Sequence, residues 1–251
     1  MTNKERHSRD RRKQIRTLLI IIIFLALVVI YCRSQQVFTV ENIEVSGQFE
    51  LSDREIERIS GIKRGANIFD LNLVQGIENL MQEPYINKVY IYREFPNKVK
   101  INVIERHPIV LIELAKDYAI DAFATMLPSP KSYPSENLPI IRGVDPSLAF
   151  ELGKLCEQQD ILNAIVLLNY VSTSNKKILE YCSNMRWSEK NGWTIRKSLQ
   201  YPEIHLGKNN LIQKINILEA FINKMEDENK DIKKIKYINL RFEKQIIVRE
   251  K

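Results

Sequence analysis

The residues able to do chemistry in this 251-residue chain are few and scattered. Ser60-Gly61-Ile62-Lys63 sets a serine and a lysine at the Ser-x-x-Lys spacing, where an amine can activate a hydroxyl for acyl transfer. The companion elements of that chemistry, Ser-Asp-Asn and Lys-Thr-Gly, occur nowhere in the chain. Ser60 closes a helical pattern beside Gly61, so the pair reads as helix-end residues, and no catalytic residue is assigned. His7, His107 and His205 have no His or Cys three to five positions away, and Cys32, Cys156 and Cys182 have no metal spacing. Cys156 and Cys182 read either as a pair, in an oxidising compartment, or as two buried small residues. Glu105 with Arg106 reads as a strand-end ion pair rather than a general base. Arg93 and Lys98, flanking Pro96, read as solvated turn charges. There is no glycine-rich phosphate loop. No cofactor, metal or small-molecule substrate is expected, so the output of this chain must be binding.

The elements that would position a binding surface begin with a membrane anchor. Leu18 to Cys32 is fifteen residues without a charge. The sixteen residues ending at Arg16 hold seven Lys or Arg against Glu5 and Asp10, a net +5 out of the total +7. Basic flanks stay cytoplasmic, which predicts the N-terminus inside and residues 34–251 outside. Fifteen residues rise only about 22 Å, but Ile15 and Thr17 extend the run, and Arg16 and Arg33 can snorkel to the interfaces. The exit Val29-Ile30-Tyr31-Cys32 is too bulky for signal-peptide cleavage. The basic tail is read as an orientation and lipid-headgroup signal rather than a nucleic-acid site.

Beyond the anchor, Gly and Pro are sparse (8 and 9) and the net charge is only +2. Val37 to Ser46 reads as a strand ending at Gly47. Ser52-Asp53-Arg54-Glu55 is a capping box opening a helix with Ile56 and Ile59 and a stop at Gly61. A second helix presents Leu73, Ile77, Leu80 and Met81 at helical spacing and ends at Pro84. Ile86 to Phe95 and a return strand with Val99, Ile101 and Val103 turn at Pro96-Asn97. Strand, helix, helix, strand, strand makes a complete small core. Further on, Asp145-Pro146 starts a helical stretch running to about Tyr170. Asn191-Gly192 is a hairpin signal between 182–188 and 193–197, with Trp187 and Trp193 as a cross-strand pair. A helix from Leu211 to Met225 follows, and Ile235 to Leu240 with Gln245 to Arg249 makes the last hairpin.

Several of these segments carry a resemblance. Phe38 to Gly47, the Gly61 and Gly65 loop before Asn67-Ile68-Phe69, and Tyr92 to Asn97 before Val103 to Pro108 resemble a POTRA domain. One such domain after a basic tail and a single span resembles the FtsQ/DivIB family of bacterial division proteins. Tyr118 to Asp121, Leu138-Pro139 to Gly143, Ile204 to Gly207 and Tyr237 to Phe242 are similar to that family's later strands. Where the family normally has a glycine before its leucine, Ala122 to Thr125 has none. Phe242 stands where it commonly has a tyrosine, and Lys244-Gln245 replace small turn residues.

The expected fold class is α+β: a single N-terminal transmembrane helix, a small β-α-α-β-β POTRA domain, then a second α+β domain with a mainly antiparallel sheet. The expected divisions are a tail at 1–16, an anchor at 17–33, a POTRA domain at 38–107 and an FtsQ-type β domain at 108–251. The resemblance implies a non-catalytic scaffold of the division machinery in the cytoplasmic membrane at the septum. It implies FtsB/DivIC-like and FtsL-like partners held by the C-terminal strands, and a second partner surface on the POTRA domain. An exposed strand edge offers unpaired N–H and C=O groups for the same purpose. The expected contact residues are Leu240, Arg241, Phe242, Lys244, Gln245, Ile246, Ile247 and Val248. A POTRA-bearing envelope assembly or secretion factor is the alternative class. The chain is too short after its one POTRA pattern for a membrane barrel.

Overall fold

The computed structural model describes residues 3–34, 36–114, 116–132, 138–145, 150–174, 176–242 and 245–251. Helix α1 (Asn3–Ser34) contains a 19-residue apolar stretch, Lys13–Tyr31, of mean hydropathy 2.5 with none of it buried. At 1.5 Å per residue this stretch is ~28 Å long, close to the ~30 Å hydrocarbon core of a bilayer. Helical backbone continues past the apolar stretch at both ends.

The chain divides into two compact units, the first formed by residues 1–81 and 88–104 and the second by 82–87 and 105–251. The first unit carries a three-stranded sheet in the order β1 (Asn42–Ser46), β3 (Lys98–Glu105), β2 (Ile86–Glu94). β1 runs parallel to β3, with Asn42 opposite Lys98 and Ser46 opposite Asn102. Alternation works as expected in β3, where Val99, Ile101 and Val103 are all buried.

Helix α2 (Asp53–Ser60) starts on the capping box. The Glu55 N–H donates to the Ser52 hydroxyl at 3.3 Å, and the Ser52 N–H donates to the Glu55 carboxylate at 2.9 Å. Gly61 ends the helix in the left-handed region, φ 71°. Helix α3 (Leu73–Met81) differs from its predicted stripe. Leu80 is fully buried, Ile77 is half-buried, and Met81 is exposed. The second buried position is Gly76, where a Cβ would lie 3.1 Å from the Ser60 carbonyl oxygen and 3.2 Å from Ile91 Cδ1. The close approach of α3 to the end of α2 displaces the side-chain stripe around the helix.

The first strand also differs. Gln36–Phe38 is a 3₁₀ turn and regular pairing begins only at Asn42. Residues 38–40 instead bond the loop before α3: Val40 N–H to Ala66 O, Gly65 N–H to Val40 O, and Ile68 N–H to Phe38 O.

The second unit is built on a nine-stranded sheet. In chain order its strands are β4 (Pro108–Ile112), β5 (Tyr118–Asp121), β6 (Met126–Pro128), β7 (Ile140–Arg142), β8 (Asn184–Arg186), β9 (Trp193–Arg196), β10 (Glu203–Gly207), β11 (Ile235–Asn239) and β12 (Ile247–Glu250). Their spatial order is β12-β11-β10-β9-β8-β7-β4-β5-β6. Five of the eight pairings are antiparallel and three are parallel (β11 on β10, β8 on β7, β7 on β4), so the sheet is mixed.

Helices α4 (Gln159–Ser174), α5 (Lys176–Tyr181) and α6 (Leu211–Asp227) contribute to one core with this sheet. Ile161, Leu168, Leu218 and Ile222 meet Ile120, Ile141, Trp193, Ile195 and Ile204 there. The helix expected from Asp145-Pro146 begins instead at Gln159; residues 146–149 lie outside the described set. The intervening chain is held by β6: Met126 N–H donates to Lys154 O and Gly153 N–H to Met126 O, both at 2.8 Å.

Residues 82–87 belong with this second unit. The Tyr85 hydroxyl donates to the Pro128 carbonyl at 2.7 Å, and the Tyr85 ring packs on Ala119 and Leu127. The Arg106 N–H donates to the Tyr85 carbonyl.

Candidate functional site

The C-terminal edge of the nine-stranded sheet collects most of the predicted contact residues. β11 lies between β10, parallel to it, and β12, antiparallel. β12 begins at Ile247 rather than Gln245, and it pairs Ile247 with Asn239 and Val248 with Ile238. A register shift between Ile235 and Tyr237 bends this hairpin.

β12 ends the sheet, and all four of its residues are exposed. Among the described residues no backbone hydrogen bond covers its outer side. The opposite edge is different: β6 is closed by the chain itself, through residues 153–155. Among the described residues, one end of the sheet is therefore capped internally and the other is left uncovered. Ile246, Ile247 and Val248 remain 37–40% exposed at the open end. Such consecutive apolar side chains on an uncovered edge are what a strand-adding partner would bury.

The other predicted contacts fall in three different environments. Leu240 is buried and its N–H donates to the His205 carbonyl, so its side chain belongs to the core rather than the surface. Arg241 is exposed but engaged: its N–H and Nε donate to Asn239 Oδ1 at 3.1 and 3.2 Å, and its Nη1 to Asn191 Oδ1 at 2.8 Å. It clamps the end of β11 to the β8–β9 turn. Phe242 is 53% exposed and, with Gln245, lines a shallow groove of about 160 Å³ against α6, beside Lys214 and Ile217. Lys244 lies outside the described residues.

Local sequence explains part of this geometry. Asn191-Gly192 makes the expected turn, with the Gly192 N–H on the Ser188 carbonyl at 2.7 Å. A Cβ on Gly192 would sit 2.2 Å from the Gly207 carbonyl carbon, so the turn presses on the end of β10. Trp187 and Trp193 pair as expected, with ring centroids 5.2 Å apart. The Lys214 ammonium donates to the Leu206 carbonyl at 2.7 Å and ties α6 to β10.

His205 on β10 sits edge-on to Tyr237 at 5.7 Å, with Nδ1 3.3 Å from the Thr194 hydroxyl. Burial holds its pKa below the usual imidazole range; Glu203 opposes this shift and Arg241 reinforces it.

The residues weighed for chemistry are not brought into a reactive arrangement. The Ser60 hydroxyl donates to the Glu57 carbonyl at 2.8 Å and accepts from the Ile62 N–H at 3.2 Å, while Lys63 is exposed. Cys156 and Cys182 are buried and unbridged, and burial pushes the Cys182 thiol up to about 12. Among the described residues no group of His, Cys, Asp and Glu could hold a metal ion.

Arg106 forms an ion pair with Asp121, at 3.0 Å. Arg93 is not a solvated turn charge: its Nε and Nη2 donate to the Ile68 and Leu71 carbonyls at 2.6 and 2.7 Å. Lys98 does remain near the surface, where it pairs with Glu44 and Glu94.

Comparison with known proteins agrees with this architecture. The model of the FtsQ-type POTRA domain matches residues 38–106, and that described as FtsQ/DivIB, C-terminal related, matches residues 107–248. The cell division protein DivIB of Clostridium botulinum (strain Loch Maree / Type A3) is 35% identical over 113 residues, 45% of this chain and 44% of that protein. The chain thus spans less than half the length of that relative. The cell division protein FtsQ of Syntrophotalea carbinolica is 26% identical over 212 residues, 84% of this chain and 74% of that protein. FtsQ of Geobacter sp. (strain M21) is 24% identical over 210 residues, 84% of this chain and 75% of that protein. With more than half of its residues matched by one family model, the chain belongs to the FtsQ/DivIB family of cell division proteins.

Proposed function

We propose that this chain is a non-catalytic, membrane-tethered scaffold of the division machinery that recruits its partners by strand addition along β12. The partners are an FtsB/DivIC-like protein and, in complex with it, an FtsL-like protein. The single observation that carries the reading is the contrast between the two edges of the nine-stranded sheet. β6 is closed by the chain itself, whereas β12 is uncovered and apolar. The tail at 1–16 lies in the cytoplasm, 17–33 cross the membrane, and the POTRA domain (38–107) and the β domain (108–251) lie on the far side, at the septum. The +5 tail beside the apolar stretch supports that orientation. The POTRA domain supplies a second surface for other division proteins.

Depletion of the protein tests the role. Filamentous or unseparated cells are expected, with rescue by the full chain and none by a chain ending at residue 242. Normal division on depletion, with loss of outer-membrane or secreted proteins instead, would move the chain to an assembly role.

A further inference from the structure

We propose that the first unit rests on the bilayer its own helix crosses, through an aromatic seat made by Val37, Phe38, Phe69 and Phe95. Three segments far apart in sequence converge to make it. The Phe69 ring lies 5.2 Å from Phe38 and 5.3 Å from Phe95. The backbone holds them there: Ile68 N–H bonds the Phe38 carbonyl, and Arg93 bonds the carbonyls of Ile68 and Leu71. In spite of this organisation, Phe69 is 42%, Phe95 56% and Val37 58% exposed. Fixing aromatic rings together and leaving them in water gains little, which points to an apolar or interfacial surface that covers them.

The chain itself says which surface lies within reach. The apolar stretch of α1 ends at Tyr31, and Phe38 follows seven residues later. Helical backbone to Ser34 and the 3₁₀ turn at Gln36–Phe38 shorten that tether. Fully extended, seven residues span at most about 25 Å, and these turns bring Phe38 closer than that. Phe38 is thus kept within reach of the interfacial layer, into which the apolar face of a surface-bound segment inserts. The charges next to Phe95 in the chain are already engaged: Glu94 pairs with Lys98 and Lys100, and Arg93 donates to the Ile68 and Leu71 carbonyls. The rings rather than lipid charge must drive the contact, so it does not need anionic lipid. This inference rests on α1 crossing the membrane and is independent of the β12 edge.

The test uses the full chain in vesicles of zwitterionic phosphatidylcholine, with retention after alkaline washing confirming insertion. Phe95→Trp adds a reporter to Trp187 and Trp193, whose emission is measured in the parent. Phe49→Trp is the control. Phe49 is also exposed, but it follows the other end of β1, beyond the Ser46–Asn102 pair. With acyl chains brominated near the headgroup, the emission added at position 95 is expected to be largely lost and that added at 49 retained. Combining Phe95→Trp with Phe69→Asp should restore the emission. The proposal is overturned if emission at 95 survives brominated lipid and is quenched by aqueous iodide as at 49. It is also overturned if quenching needs anionic lipid, or if iodide is excluded only once another division protein is added.

Discussion

Replacing Asp121 should destabilise the second unit more than any other single polar substitution near the β5–β6 turn. One carboxylate oxygen accepts the N–H groups of Phe123 at 2.9 Å and Thr125 at 2.7 Å, and the other accepts Arg106 Nη1 at 3.0 Å. The side chain is 3% exposed and that of Arg106 is 20% exposed. The turn has no glycine, and Ala124 sits at φ 66°, where an L-residue is strained by ~1–2 kcal/mol. Asp121 therefore holds a turn that resists its own geometry. Asp121→Ala strands two amide donors and leaves Arg106 Nη1 only the Thr125 hydroxyl, at 3.2 Å. Breaking a buried pair from one side costs about 3–5 kcal/mol, and the partial exposure of Arg106 favours the lower part of that range. Asp121→Asn keeps an acceptor for both amides but loses the charge, so it should cost about 1.5–3 kcal/mol. Ala124→Gly relieves the strained φ and should recover about 0.5–1 kcal/mol in either background. Both tryptophans lie in the same unit as Asp121, so thermal unfolding of the full chain in detergent, followed by tryptophan emission, reports this unit. The loss in Asp121→Ala corresponds to a fall of roughly 6–20 °C in Tm for a unit of this size. A Tm within about 2 °C of the parent would refute the reasoning.

Leu80→Ala in the first unit should cost ~2–5 kcal/mol, and Ile77→Ala less than half as much because that side chain is only half-buried; circular dichroism melts would show it. The second unit should lose stability as pH falls. His205 has its folded pKa lowered by burial, so below the unfolded value of ~6.5 the unfolded chain binds the extra proton and stability drops until the folded pKa is passed. Urea midpoints between pH 7.5 and 5 should fall in the parent and fall less in His205→Gln. Phe242→Ala should weaken partner binding by 1 kcal/mol or more, about fivefold or greater in Kd, because exposed aromatic anchors dominate interface energies. Calorimetry on the full chain in nanodiscs reads that change directly.

Local chemistry made several elements legible before any coordinates. The Ser52–Glu55 box, the Asn191-Gly192 turn and the alternation of Val99, Ile101 and Val103 each depend on neighbours within a few residues, and each formed as read. The misses share the opposite property. Residues 38–40 look like a strand but bond the loop at 65–68, and the 151–158 stretch looks helical but is drawn out along β6. Gly76 carries no local signal, because its role lies in a close approach to Ser60 and Ile91. Strand β4, interior to the sheet between β7 and β5, follows so closely on β3 that the alternation of Val110 and Ile112 does not stand out as a separate strand. The partners of Arg93 and Arg106, and the Asn191 partner of Arg241, stand 15 to 50 residues away, so no local pattern could distinguish a clamp from a solvated charge. The candidate edge was legible only as an apolar terminal strand. That its opposite edge is closed, and that Leu240 faces inward, required the fold.

The most direct test of the account is the affinity of the full chain in nanodiscs for a purified FtsB-like partner, compared with Ile247→Pro and with a chain ending at residue 242. Proline removes a backbone donor and is excluded from the interior of paired strands, while side-chain loss at the exposed β12 leaves the core intact. The account expects binding by the parent, none by either variant, and unchanged tryptophan-reported unfolding in Ile247→Pro to within about 1 kcal/mol. Equal affinity across all three chains would contradict it and place the partner surface away from β12.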